Sequence, residues 1–215
     1  ILIGNNAGEK TMGNSASKNV LIGTNSGRNI TTGNENLMIG NETGNSLTSE
    51  SKNLIMGYQA GSNLVDNQAV MIGHNSGLNS VNKNLFVGTY SGYNIIGENN
   101  IVLGNYDKNS DDVSGVTNIN VDNNIFIGND SGIESSGNSN ICLGKGSGIK
   151  DEGSFNLNIG NYTSSNTNYD SETLPTEVGS NVNMGHMAGR KTHNKSRNIN
   201  IGVASGEKRN VDDNI

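Results

Sequence analysis

The chain has 215 residues, 31% of them hydrophobic and 4% aromatic, with 30 Gly and no Trp, and such material cannot assemble one thick globular core. Its net charge of −6, with Lys and Arg scattered, excludes the clustered basic face that nucleic acid binding requires. A single Pro and a strict apolar period separate it from the disordered chains that low hydrophobicity otherwise signals.

The first element is the aliphatic triplet 1–3, closed by Gly4. The pattern returns at 20–22, 37–39, 54–56, 70–72, 85–87, 101–103, 125–127, 141–143, 157–159, 182–184 and 199–201, each closed by a glycine. The spacings between successive closing glycines, Gly4 to Gly202, are 19, 17, 17, 16, 15, 16, 24, 16, 16, 25 and 17. Helical repeats and propeller blades use more than about 30 residues per unit, so a period of 16 to 17 predicts one coil of a thin β-solenoid per repeat. The whole chain, 1–215, reads as a single array of about twelve coils, an excerpt of a longer chain, with outward insertions near 106–122 and 162–180.

In each triplet the first and third residues are aliphatic, as in Val20 and Ile22, Leu37 and Ile39, or Leu54 and Met56. Residues two apart share one side of a strand, and this pair is expected to face the coil interior. Three residues after the closing glycine comes a small side chain such as Ala7, Ser26 or Thr43, then a second Gly in most coils. Two glycines around a small residue predict a tight corner. Lys108 and Ser164 replace the second Gly where the insertions begin, and there the corner is expected to open into a loop.

Four residues before the closing glycine stands Asn19, Asn36, Asn53, Asn84, Asn100, Asn124, Asn140, Asn156, Asn181 or Asn198, with Ala69 as the exception. Coils stack about 4.8 Å apart, so an Asn at one fixed address predicts a hydrogen-bonded ladder. Tolerance of left-handed geometry by Asn is the alternative reading. No Asn-Gly pair occurs, which argues against antiparallel hairpins and for parallel coiling. The Gly-Gly-x-Gly-x-Asp signature of calcium-binding coils is also missing.

The middle residue of the triplet is expected to point away from the interior, yet it is apolar through Leu21, Met38, Ile55, Met71, Phe86, Val102, Phe126 and Cys142 before changing to Asn158, Asn183 and Asn200. A strand apolar on both faces is covered on both, so this stripe is expected to bury itself against further copies of the chain, closing three rods about an axis. The Asn-bearing end would then open out or form polar layers across that axis.

The Asn-Φ-x-Φ-Gly-x-x-Ser/Ala-Gly unit resembles the head repeats of trimeric autotransporter adhesins, and also repeats in tail fibres of bacteriophages and large viruses. The resemblance implies a left-handed parallel β-roll, a homotrimer, and a fibre exposed on a cell or virion surface that attaches to cells or matrix. Coils longer than that family's and Asn-rich corners depart from its usual pattern.

Searching the chain for chemistry yields little. His74 and His186 lie six coils apart, about 29 Å by stacking distance, and cannot share a metal; His193 lies in a basic segment. Cys142 takes the place of Leu, Met or Phe in other coils and reads as a buried thiol. The stretch from Asp107 to Asp112 and the pair Asp212 and Asp213 permit weak calcium binding, but solvated loop charges are the favoured reading. No cofactor, catalytic group or membrane-inserting segment is expected. Recognition is expected in the insertions, at Tyr106, Asp107, Asp111, Asp112, Tyr162, Tyr169, Leu174 and Pro175. The leading expectation is an attachment fibre that binds a host cell receptor, glycan or matrix protein; a structural shaft with its tip elsewhere, an ice-binding face and a glycan-cleaving enzyme are the alternatives.

Overall fold

A computed structural model of the chain describes residues 1–13, 15–64, 67–81, 83–106, 120–151, 153–165, 179–190 and 196–207. Contacts divide the chain into two compact units, Ile1–Asn105 and Tyr106–Ile215, and the division falls where the first insertion begins.

The first unit holds β1 (Leu2–Ile3), β2 (Val20–Ile22), β3 (Leu37–Ile39), β4 (Leu54–Met56), β5 (Val70–Ile72), β6 (Leu85–Val87) and β7 (Ile101–Leu103). Each pairs in parallel with the next and in full register, so that Leu21 lies beside Met38, Met38 beside Ile55 and Met71 beside Phe86. The second unit repeats the arrangement with β8 (Ile125–Ile127), β9 (Ile141–Leu143), β10 (Leu157–Ile159), β11 (Val182–Met184) and β12 (Ile199–Ile201). Both are parallel β-solenoids with one strand of two or three residues per coil, the predicted fold class. Among the described residues the only helix is a 3-10 turn, Glu9–Gly13.

The corners follow from the two glycines. Gly23 has φ +128, a conformation that L side chains rarely adopt, and a Cβ there would lie 2.2 Å from the carbonyl oxygen of Gly40 in the next coil. Gly27 has φ +54, and its Cβ would meet the Leu21 side chain at 2.9 Å. The first glycine thus lets coils stack, and the second leaves room for the side chain inside the coil. Ser164, which replaces a second Gly, keeps the left-handed geometry with φ 48, and its amide still donates to the carbonyl of Ala188 at 3.0 Å. The corner therefore persists at Ser164 rather than opening there; Lys108 lies outside the described residues.

The Asn ladder is present in both units. Asn36 N donates to Asn19 Oδ1 at 2.9 Å, Asn53 N to Asn36 Oδ1 at 3.0 Å, and Asn100 N to Asn84 Oδ1 at 2.8 Å. In the second unit Asn140, Asn156, Asn181 and Asn198 each donate from the backbone to the Asn of the coil before. The main rung is thus backbone to side chain, with amide-to-amide contacts added at Asn36, Asn100, Asn181 and Asn198. At this corner the left-handed residue is the one before, as at Lys18, Glu35 and Lys52, with φ 58, 60 and 64.

The assignment of the two strand faces is reversed from the sequence expectation. Leu21, Met38, Ile55, Met71, Phe86, Val102, Phe126 and Cys142 line the coil interior and are all buried; they are not an outer stripe. Val20, Ile22, Leu37, Ile39, Leu54 and Met56, expected inside, are half-exposed on the outer sheet face. Alternation fixes which residues share a face but not which face turns inward, and here both faces are apolar. The interior is completed by Ile30, Leu47 and Leu64 and by the small corner residues Ser26, Thr43 and Ala60. Corner hydroxyls bridge the coils: Ser26, Ser76, Ser91 and Ser131 donate to the carbonyls of Met38, Phe86, Val102 and Cys142 in the following coil.

Candidate functional site

The outer sheet face is the broadest candidate surface. In β2 to β7 the first and third residues of every strand are half-buried, with the middle residue buried between them. Ile127, Ile141, Met184 and Ile199 in the second unit are exposed at 39, 37, 37 and 40%. In the first unit this twin aliphatic column follows the stacked strands for about 24 Å by 10 Å.

Of the residues expected to bind a partner, Tyr106 is half-buried and packs against the buried pair Ile133 and Ile149, so it closes a small core in its own unit. Tyr162 is also half-buried. Its ring lies over Gly146, where a Cβ would come within 2.7 Å of it, and its centroid is 6.4 Å from that of His186. Asp107, Asp111, Asp112, Tyr169, Leu174 and Pro175 lie outside the described residues, as do His193, Asp212 and Asp213.

From Asp151 and β10 onward a polar interior replaces the apolar one. Asp151 is buried where the first unit has Ile30, Leu47 or Leu64. Its carboxylate accepts from Gly153 N at 3.1 Å, Ser164 Oγ at 3.0 Å and Asn158 Nδ2 at 3.2 Å, with Asn156 Nδ2 at 3.5 Å. Asn183 Nδ2 donates to Asn158 Oδ1, and Asn200 Nδ2 to Asn183 Oδ1, both at 2.8 Å. Asn158, Asn183 and Asn200 therefore form a second amide ladder inside the coil, and do not open outward or form layers about an external axis. These hydrogen bonds offset the cost of placing amides and a carboxylate where other coils have aliphatic side chains. The sequence signal was an Asp at an interior aliphatic address, followed seven residues later by the first interior Asn.

Cys142 sits at the junction of the apolar and polar interiors, buried, with Asn158 Nδ2 at 3.5 Å from its sulfur. Burial, with a smaller contribution from the Asp151 charge, pushes the thiol up to about 12. Among the described residues no group of three or more His, Cys, Asp or Glu side chains gathers as a metal site, and no helix is long and apolar enough to cross a membrane.

The chain matches no protein-family model, no curated protein and no solved structure. Its surfaces must therefore be read from their own chemistry. Thiolate chemistry needs a lowered and accessible thiol, which Cys142 is not. What the described surface offers is an apolar sheet face and the stacked corners beside it.

Proposed function

We propose that this chain is a segment of an extracellular surface fibre, carried by a cell or a virion, in which three copies of the rigid solenoid associate and present surfaces that bind a host receptor, glycan or matrix protein. The observation that carries this reading is the outer sheet face. None of its residues in β2 to β7 is fully buried, although every one is aliphatic. A column of that kind covers a few hundred Å², the scale at which an apolar patch on a monomer marks an interaction site. Because every coil contributes two aliphatic residues at the same register, a second copy of the face complements it along its length. Three-fold closure rests on the resemblance of the repeat to trimeric adhesin heads. With many equivalent coils per rod, weak contacts to a host surface sum through effective concentration, so no deep pocket is required.

Multi-angle light scattering tests the reading. The expected mass is three times 22.6 kDa, falling to one chain when Leu54→Lys and Ile72→Lys are combined. A wild-type chain of single mass overturns it, and a trimer that attaches to no cell or matrix surface is a structural shaft.

A further inference from the structure

Three consecutive corners of the first unit carry a row of rings. The centroids of Tyr58 and His74 are 5.3 Å apart and those of His74 and Tyr90 also 5.3 Å, while Tyr93, in the same turn as Tyr90, flanks it at 5.9 Å. Tyr58 and His74 are exposed, while Tyr90 and Tyr93 are half-buried. The corner itself does not need rings: Asn5, Thr24 and Asn41 occupy the column of Tyr58 and His74 in earlier coils. Ring pairs of this tilted and edge-on kind steady one another, and Tyr58 and His74 remain exposed within the row.

The surroundings define what such a row accepts. The three turns 57–63, 73–79 and 88–94 contain no Asp, Glu, Lys or Arg, whereas the turns 4–10, 23–29 and 40–46 each contain at least one. In the same turns runs a row of amides, Asn63 Nδ2 donating to Asn79 Oδ1 and Asn79 Nδ2 to Asn94 Oδ1, both at 2.9 Å. A phosphate backbone finds no Lys or Arg in these turns, and the carboxylate of Glu42 in the preceding coil already accepts from Gln59 Nε2 at 2.6 Å. A pyranose ring offers one face of C–H groups to an aromatic ring and a rim of hydroxyls to amides. The coil spacing of about 4.8 Å is close to the length of one sugar in an extended β-linked chain, so successive sugars meet successive rings.

We infer that Tyr58, His74 and Tyr90, with Tyr93 beside Tyr90, form a binding strip for an uncharged, extended β-linked glycan lying along the solenoid axis. For its biological purpose this rests on the attachment reading, but binding at the strip does not require the trimer.

The probe is cellohexaose, followed by saturation-transfer NMR and by tyrosine emission, which the absence of Trp leaves unmasked. The expected result is transfer to the sugar C–H protons, and an affinity weakened about tenfold or more in a Tyr58→Ala, Tyr90→Ala double variant. Phe155→Ala, at an exposed ring of the other unit, should bind like the wild type, and circular dichroism should show the double variant folded. No transfer in the wild type, or equal transfer in the folded double variant, overturns the inference. Should the double variant unfold, Tyr58→Ser alone carries the same comparison. Light scattering on the same samples separates the two claims: a monomer that binds cellohexaose sinks the trimer alone, and a trimer that does not bind it sinks the strip alone.

Discussion

The backbone amide of Asn36 donates to the side-chain oxygen of Asn19, 2.9 Å away and one full coil earlier in the chain. Asn36 in turn accepts from Asn53 N at 3.0 Å and donates its own Nδ2 to the carbonyl of Glu50 at 2.9 Å. One buried side chain therefore serves its own coil and the next. Asn36→Ala strands the buried amide of Asn53, and the expected cost is about 1–3 kcal/mol, read as a lower urea midpoint with an unchanged slope. Asn5→Ala, exposed and outside the left-handed region, should barely move the midpoint. Equal midpoints for Asn36→Ala and wild type would remove the ladder from the account.

Phe86 and Gly92 show how tightly the second glycine fits the interior. A Cβ on Gly92 would lie 2.3 Å from the Phe86 ring, and Gly92 has φ +67. Gly92→Ala combines left-handed strain, about 1–2 kcal/mol, with overpacking, about 1–3 kcal/mol. Phe86→Leu should relieve the second part, so the double variant should be more stable than the sum of the single changes. Gly40→Ala is different in kind, because its Cβ would meet the Gly57 carbonyl oxygen at 2.3 Å, and no side-chain change should rescue it. Strict additivity at Gly92 and Phe86 would contradict this packing.

These pairs show how much the sequence disclosed. The strands, the parallel stacking, the corner glycines and the address of the ladder were all legible, because each is a period and periods survive without coordinates. Which strand face turns inward was not. Leu21 and its neighbours Val20 and Ile22 are all aliphatic, so alternation gave no polarity to choose by. A usable signal lay in the parity of the ladder: Asn36 and Met38 are two apart, share a side of the strand, and are both buried. The Asp151 network was legible only in part. Its address, shared with Ile30, Leu47 and Leu64, marks Asp151 as interior once the inward face is known, but spacing alone does not bring Asn156, Asn158 and Ser164 around its carboxylate.

Cys142 supplies a pH test. Its thiol is raised from 9.0 to about 12 in the folded chain, first by burial and then by the Asp151 charge. Above the unfolded value the unfolded state releases this proton while the native state keeps it, so stability present below pH 9 is lost as pH rises toward 12. Cys142→Ala should flatten that part of the profile, measured by denaturant unfolding across the window against wild type. In the folded protein at pH 8 a thiol reagent should leave Cys142 unmodified, and it should react on unfolding. Prompt labelling of the native chain would contradict its burial.

The central claim is that the middle residue of each strand is inside the coil and its two neighbours are outside. Ile55→Asp and Leu54→Asp, adjacent in one strand, test it by circular dichroism and thermal unfolding. Ile55 is fully buried, and an unpaired carboxylate there should abolish the fold, while Leu54, half-exposed, should tolerate one and retain the β spectrum. A folded Ile55→Asp chain with a wild-type midpoint beside an unfolded Leu54→Asp chain would contradict the account.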